Sequence, residues 1–468
     1  MKTLGEIYHK CNPEKNYKTG KMKKTAINIV ETLQNNGYVA VFAGGCVRDK
    51  LLNRKIKDYD IATNATPDKV INLFDKTISI GKSFGVINVV KSDLSFKVTT
   101  FRSDGVYVNG RYPSGVKFSN MGEDAKRRDL TINAIFYNPV TNEFYDYVNG
   151  INDLNSKILR FVGKPNKRIK EDNLRLLRFI RFMCSTGFKS DNDSWDAIIN
   201  NTHLIKNVSN KRIRDELSKI LIYGSVGIKL LQKSGLLKEV LHEVDSLVNC
   251  EQNPEHHPKG NVFTHTCNLL DNLIELVLFD ESNERKQILL WASLLHDISK
   301  PKTFNMVNEK ISAKEHETIG FEMSRNVLKR LKFPTKFICQ VSRLVRDHMC
   351  IKEAKNMRVS KIKRLMSQNN YNNLFDLSFQ DSIVSGKNIA WAVYLIDKEN
   401  EFIKNKTPIK PPCLINGDDL IKLSFKPGPV FKILLEEIQD LQLEGVIENK
   451  NQALKYLKNK KGNIKNNF

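Results

Sequence analysis

Apolar residues recur along this chain with two different periods, and the change between them falls near Gly163. Before that point short β-rich runs stand out, YVAVF, ISIGKSFGVINVV, FKVTTF and AIFYN, rich in the branched and aromatic side chains that suit a pleated surface. Between them lie helix-period segments such as PDKVINLF, where Thr66 is placed to cap and Pro67 suits the first turn. From Pro165 onward NLRLLRFIRFM, KRIRDELSKILI and FKILLEEIQDLQL carry helical periodicity, as helices that bury one face do. The pattern predicts an α+β or α/β head followed by a long all-helical body. At 468 residues the chain exceeds what one hydrophobic core supports, so several domains are expected.

Composition changes this picture in one respect. Lys plus Arg number 75 against 52 Asp plus Glu, a net charge of +23, which favours a polyanionic partner through counterion release and steering. The 8 cysteines are scattered without close pairs, which suits reduced thiols and a cytoplasmic setting better than a disulfide scaffold. The start, MKTLGEIYHKCNPEKNYKTGKMKK, is basic and polar, with neither the apolar core of a signal peptide nor a membrane span. No membrane partner is expected, and the oligomeric state is not legible in the sequence.

The chemistry concentrates in two places. In KDYDIAT, Asp58 and Asp60 are two apart, so on a strand they point the same way while Tyr59 points into the layer behind. Two carboxylates on one patch repel, and a divalent cation removes the conflict. Upstream, FAGGCVRDKLL reads as strand, glycine turn and helix. Gly44 and Gly45 permit a tight turn, the helix start favours anions, and Arg48 offers a fork of donors to a phosphate. Taken together these residues point to phosphoryl transfer.

Four blocks, FAGGCVRDKLLNRKIKDYDIAT, KRRDLTINAIFYNP, YDYVNGINDL with LRFVG, and RIKEDNLRLLRFIRF, occur in this order over residues 38–182. In them the chain resembles the tRNA nucleotidyltransferase and poly(A) polymerase family, in its bacterial and eukaryotic class. The resemblance implies an α+β fold, with a polymerase-β-like nucleotidyltransferase head built on a mixed sheet, followed by an all-α neck and body. It implies magnesium on Asp58 and Asp60, which are the catalytic residues. Arg128 is directed to the nucleotide phosphates and Asp129 to the sugar hydroxyls. Asp146 matches a block associated with the hinge between head and neck, although a plain turn accounts for it nearly as well. Asp172 and Arg175, three apart on one predicted helix with Arg178 a turn further on, are implied to read the edge of the incoming base; by spacing alone they would be an intrahelical ion pair. Many relatives carry an acidic residue in the strand FKVTTFR, where Lys97 stands here. The metal is therefore assigned to Asp58 and Asp60 with substrate oxygens and water, and Lys97 is expected to face solvent.

The second concentration is of histidine. Positions 242, 256, 257, 265, 296, 316 and 348 hold seven of the nine. HHPKGNVFTHT, LLHDISKP, KEHETIG and RDHMC, with Asp381 later, resemble the HD metal-phosphohydrolase domain, in which His and Asp from separate helices hold a divalent cation. His265, His296, Asp297 and Asp381 match its four-ligand core, and His316 and His348 match additional positions. Nickel, manganese or cobalt would suit such a set, and Ser299 replaces the glycine usual in that motif.

The expected domains are a basic extension over 1–25, a head over 26–163, a helical neck and body over 164–245, an HD domain over 246–390 and a helical C-terminal region with a basic tail over 391–468. The resemblance implies CCA addition to the tRNA 3′ end from CTP and ATP. A poly(A) polymerase, an enzyme adding only CC or only A, an HD phosphohydrolase with an inactive RNA-binding head, and a non-catalytic RNA-binding protein remain open alternatives at this point.

Overall fold

The computed structural model describes residues 13–79, 81–105, 107–108, 112–113, 115–251, 260–277, 283–303, 305–307, 310–312 and 315–465. His256 and His257 lie outside the described residues. The chain divides into two compact units, Met1–His242 and Glu243–Phe468.

The first unit is built on a seven-stranded mixed sheet. Its order across the sheet is Glu143–Asp146, Ile135–Asn138, Ala40–Ala43, Asp60–Thr63, Leu94–Thr100, Val86–Lys91 and Thr77–Ile78. One pair is parallel, Asp60–Thr63 with Leu94–Thr100, and the others are antiparallel. The YVAVF run forms the interior strand Ala40–Ala43, buried on both faces, as a continuous apolar run requires. Leu94–Thr100 alternates instead. Phe96, Val98 and Thr100 are buried while Ser95 and Lys97 are exposed. The run ISIGKSFGVINVV is divided between two antiparallel strands, Thr77–Ile78 and Val86–Lys91. Thr66 does occupy the N-cap position of Pro67–Leu73, with Pro in the first turn, but its hydroxyl makes no capping bond.

The helix Pro13–Asn35 runs through residue 25, and Ala26, Ile29, Val30 and Leu33 are completely buried. Helix Arg175–Thr186 carries the helical signal seen from Pro165 onward, and its Phe179 ring lies 4.7 Å from Phe161. Arg54 fastens the other end of this helix by donating to the carbonyls of Ser185 and Thr186 at 2.9 and 3.1 Å, a favourable place for a cation because those carbonyls lack intrahelical donors. Gly150 begins the helix Gly150–Asn155 in close contact with Thr131. A Cβ there would lie 2.2 Å from the Thr131 carbonyl oxygen.

Among its described residues the second unit is helical apart from one two-stranded ribbon, Asn305–Val307 with Lys310–Ser312. Its central helix, Asn283–Leu295, is buried continuously from Ile288 to Leu295, which explains why that stretch reads as apolar all round rather than on one stripe. Helices Val262–Val277, His316–Arg330, Thr335–Asp347 and Tyr371–Val384 belong to the same unit. Further on, Leu420, Leu434, Ile438 and Leu457 form a separate small core. There Asn416 and Asp419 form a capping box at the start of Gly417–Lys422. Among the described residues no helix is long and apolar enough to cross a membrane.

Candidate functional site

A cleft of about 820 Å³ opens in the first unit between the sheet and helix Arg175–Thr186. Gly44, Gly45, Arg48, Asp58, Asp60, Arg128, Asp129, Asp172, Arg175 and Arg178 all line it, so the residues expected to hold the metal and the nucleotide share one space, while Asp146 lies outside it.

Gly44 makes the turn. It sits at φ 76°, ψ −130° as the N-cap of helix Gly45–Leu51, a region open to glycine and strained for other residues. A Cβ there would also stand 3.3 Å from Arg128 Nη1, so the missing side chain makes room for the guanidinium. Arg48 is held by Asp49 at 2.8 Å and by the Asn133 amide oxygen at 2.8 Å.

The aspartate pair differs in one detail from the pattern expected of a strand. The strand starts at Asp60, and Asp58 belongs to the segment leading into it. Tyr59 is buried against Phe42, ring centroids 4.9 Å apart, and this anchor turns both carboxylates toward the cleft. Asp58 is exposed and Asp60 is partly covered. Burial pushes the Asp60 carboxyl above its ordinary value, Lys97 opposes this, and the charge on Asp58 adds to it. Neither carboxylate has a hydrogen-bond or ion-pair partner among the described residues. Two unpartnered carboxylates in one cleft, one of them desolvated, are a donor set suited to a hard divalent cation.

Lys97 is exposed, as expected, but it also lines the cleft as the parallel-strand partner of Asp60.

The RRD block has an organiser that the sequence reading missed. Asp124 is 1% exposed and takes Arg127 at 2.6 Å on one oxygen and Arg128 at 2.9 Å on the other. Its spacing of three and four residues from the arginines on a predicted helix was the available signal. Arg128 also donates to the Asn133 carbonyl at 3.2 Å and lies 4.8 Å from the Phe136 ring centroid. Asp129 pairs with Arg178 and accepts the Leu130 amide. Burial alone would raise the Asp129 carboxyl, but Arg178 outweighs it and holds the group below its ordinary value.

Asp172 and Arg175 are not on one helix. The helix Pro165–Glu171 ends at Asp172, whose backbone is extended at φ −142°, ψ 104°, and Arg175 begins the next helix. The Asp172 carboxylate accepts the Leu174 amide, as Asp does when it competes with helical hydrogen bonding. The expected intrahelical pair is therefore replaced by two others. Asp172 holds Arg212 at 2.9 Å, and Arg175 holds Glu171 at 2.7 Å while donating to the carbonyls of Arg168 and Arg127. Glu171 and Arg212 were not singled out from the sequence. Asp146 takes the plain turn role. Its carboxylate accepts the amides of Val148, Gly150 and Ile151.

In the second unit the predicted histidines meet. His265, His296 and Asp297 form one group whose ligand atoms lie within 4.8 Å of one another, and Asp297, His316 and His348 form another. All five are buried. His265 Nε2 is 3.3 Å from His296 Nε2 and 2.9 Å from Asp381 Oδ1, and His296 Nε2 is 3.0 Å from Asp297 Oδ2. These separations suit edges of a coordination shell with bonds of about 2.1 Å. His296 Nδ1 faces the Ser293 carbonyl at 2.8 Å and His348 Nδ1 faces that of Val345 at 2.7 Å, which directs each Nε2 inward as a ligand. Burial and the neighbouring His296 hold His348 well below its ordinary value, in the neutral form that ligates. Lys300 lies 2.6 Å from Asp297, and Lys352 pairs with Asp381. Ser299 donates to the His316 carbonyl and so helps seat that residue.

Similarity to known proteins follows the same division. The Poly A polymerase head domain matches residues 40–160, the probable RNA and SrmB-binding site of polymerase A matches 187–247, and the HD domain matches 262–378. The CCA-adding enzyme of Staphylococcus haemolyticus is 31% identical over 447 residues, 92% of this chain and 96% of that protein. The chain belongs to the CCA-adding enzyme family. The CCA-adding enzyme of Bacillus pumilus is 42% identical over 218 residues, 46% of this chain, and that match spans about half of the relative, 54%. A crystal structure of the Bacillus stearothermophilus CCA-adding enzyme in complex with CTP has the same fold, with a TM-score of 0.70 and 24% identity over 95% of this chain and 98% of that one.

The bracing of the cleft is open to a direct test. A carboxylate whose folded-state value is lowered contributes stability that is complete above its unfolded value, about 3.9, and is lost as pH falls through the folded value. Burial would raise Asp124, but Arg128 and then Arg127 outweigh it, so its net shift is downward. Asp124→Ala is expected to cost about 3 kcal/mol at neutral pH by stranding two guanidinium groups. The deficit should shrink below about pH 4. Hydrogen exchange over residues 121–138 in both proteins reads it, and equal protection at pH 7 would contradict the assignment.

Proposed function

We propose that this chain adds CCA to the 3′ end of tRNA, using CTP and ATP. The observation that carries the reading is the convergence of unpartnered Asp58 and Asp60 with the arginine-lined wall in one cleft of nucleotide size. The tRNA 3′-hydroxyl would attack the nucleotide α-phosphate, and pyrophosphate would leave. Magnesium, held by Asp58 and Asp60, would supply charge neutralisation and activation of the hydroxyl. Arg48 and Arg128 would meet the phosphates, and Gly44 and Gly45 allow the backbone to approach them closely. Asp129, fixed in its ionised form, is an acceptor for ribose hydroxyls. Scattered cysteines without close pairs support a reducing, cytoplasmic setting.

Base choice would fall to Asp172 and Arg175. An acceptor and a fork of donors can satisfy the amino and ring-nitrogen edges of cytosine and adenine while mismatching uracil and guanine. Their present partners, Arg212 and Glu171, hold both groups in place before a base arrives, and this suits selection without a template strand.

The second unit favours an additional activity. His265, His296, Asp297 and Asp381, joined by His316 and His348, would hold nickel, manganese or cobalt for hydrolysis of phosphate esters at RNA ends. Lys300 and Lys352 would orient the two aspartates.

The test of the main reading offers purified protein tRNA ending at the discriminator base, at C or at CC, with CTP, ATP or both. Extension through C, CC and CCA is expected, whereas indefinite A addition would point to a poly(A) polymerase. In the same assay Asp58→Asn with Asp60→Asn should lower addition on the order of a thousandfold while tRNA binding persists. Near wild-type extension by that double variant would remove the two aspartates from the mechanism.

Asp172→Ala and Arg175→Ala should relax selection against UTP and GTP by about tenfold or more, because unpaired polar groups against the wrong base are lost. Misincorporation rates measured one nucleotide at a time decide this, and unchanged selectivity in both variants assigns the residues to packing.

For the second unit, His296→Ala or Asp297→Ala is expected to abolish divalent-metal binding there and hydrolysis of 2′,3′-cyclic phosphate and terminal phosphomonoesters, while CCA addition continues. Metal titration of the full chain checks this. Binding that survives both substitutions would make the histidine cluster a packed scaffold.

A further inference from the structure

The arginines that line the cleft are all engaged. Arg48 is held by Asp49 and Asn133, Arg127 and Arg128 by Asp124, and Arg102 donates to the Phe84 carbonyl. Arg175 pairs with Glu171, Arg178 with Asp129, Arg181 with Glu216 and Arg212 with Asp172. Lys97 lines the same cleft and has no hydrogen-bond or ion-pair partner among the described residues. Its ammonium acts on Asp60 only through space, so it can take an anion without breaking a hydrogen bond or an ion pair within the protein.

The sheet fixes where its side chain goes. Lys97 is the parallel partner of Asp60, and cross-strand partners share a face. Its neighbours Phe96 and Val98 are 2% and 1% exposed on the opposite face, so Lys97 emerges beside the two aspartates. A slip to the other face would bury an ammonium in the core, which is prohibitive without a partner. The ammonium changes the charge of the patch. With it, two carboxylates carry a net charge near −1, whereas an acidic residue at this position would bring the patch near −3. A patch near −1 has less charge with which to gather a second divalent cation.

We infer that the Lys97 ammonium binds the phosphates of the incoming nucleotide directly, as a tethered cation beside Asp58 and Asp60 that takes over part of the neutralising role of a second metal ion. Lysine suits the task as a compact point charge on a flexible stem. The inference rests on the proposed nucleotidyl transfer and adds a phosphate contact beside the aspartate pair.

The test is calorimetric binding of CTP, pyrophosphate and cytidine to the full chain in EDTA, for wild type, Lys97→Gln and Lys97→Arg. Lys97 is exposed, so these variants are expected to fold, and matching circular dichroism and thermal unfolding verify it. Lys97→Gln should weaken CTP and pyrophosphate about tenfold, the size of one charge-assisted contact. Cytidine, which has no phosphate, should be unaffected, and Lys97→Arg should restore most of the loss. Equal CTP affinity in wild type and Lys97→Gln, or an equal loss for cytidine, overturns the inference while leaving nucleotidyl transfer standing. If wild type binds no CTP with or without magnesium, the reading of the head and the inference fall together.

Discussion

The ion pair between Asp129 and Arg178 is the constraint on which the cleft depends. It joins the loop after the RRD arginines to helix Arg175–Thr186, and so fixes the distance between the sheet on one side of the cleft and the helix that carries Arg175, Arg178 and Arg181 on the other. Asp129 is 12% exposed and Arg178 35%, a shielded setting in which losing one partner is costly. Around this pair the other ionic contacts fall into place. Asp124 braces the arginines beside it, Arg54 fastens the far end of the same helix, and Phe161 on Phe179 supplies the apolar contact underneath. A helix carrying an arginine at 175, 178 and 181 would repel itself in isolation. Each guanidinium is instead answered by a different element, Glu171, Asp129 and Glu216, so the arginines specify the docking of the helix.

The histidine cluster follows the opposite economy. Its carboxylates and imidazoles are buried almost completely, where charges are costly unless paired. Burial would raise Asp297 and Asp381, yet the facing cations hold both well below their ordinary values. Lys300 and Lys352 each pair directly with one of the two aspartates and so offset the cost of burying it.

Much of this was legible in the sequence because it was local. Strand, glycine turn and helix around Gly44 and the aspartate pair were written within a few residues, and the histidines stood out because most of a scarce residue type falls in one part of the chain. Where the reading failed, a break or a distant partner was responsible. Helical periodicity continues through EDNLRLL, so nothing in it announces that Asp172 leaves helical geometry. Once Asp172 is extended, its carboxylate is free for Arg212, forty residues away. Asp124 could have been found from its spacing to Arg127 and Arg128, but an acidic residue in a first turn is so common that burial was needed to single it out. Thr66 shows the reverse. The cap position was correctly located, while the hydrogen bond usually associated with it was absent. Lys97 was expected to face solvent; it does, but on the wall of the cleft, which only the strand register could reveal.

Because the arginines of the cleft are matched by carboxylates and carbonyls, the excess of +23 belongs mostly to the rest of the surface. The protein is zoned. Unmatched lysines outside the cleft act at long range on any polyanion, an attraction that salt screens over roughly 8 Å under physiological conditions and that weakens steeply as counterions compete. Inside, any ligand of the arginines must exchange with their internal partners at contact distance, where screening has little purchase. Long-range attraction of a polyanion and contact within the cleft therefore draw on separate sets of charges, and surface lysines can drift in number and position without disturbing the ion pairs that shape the cleft.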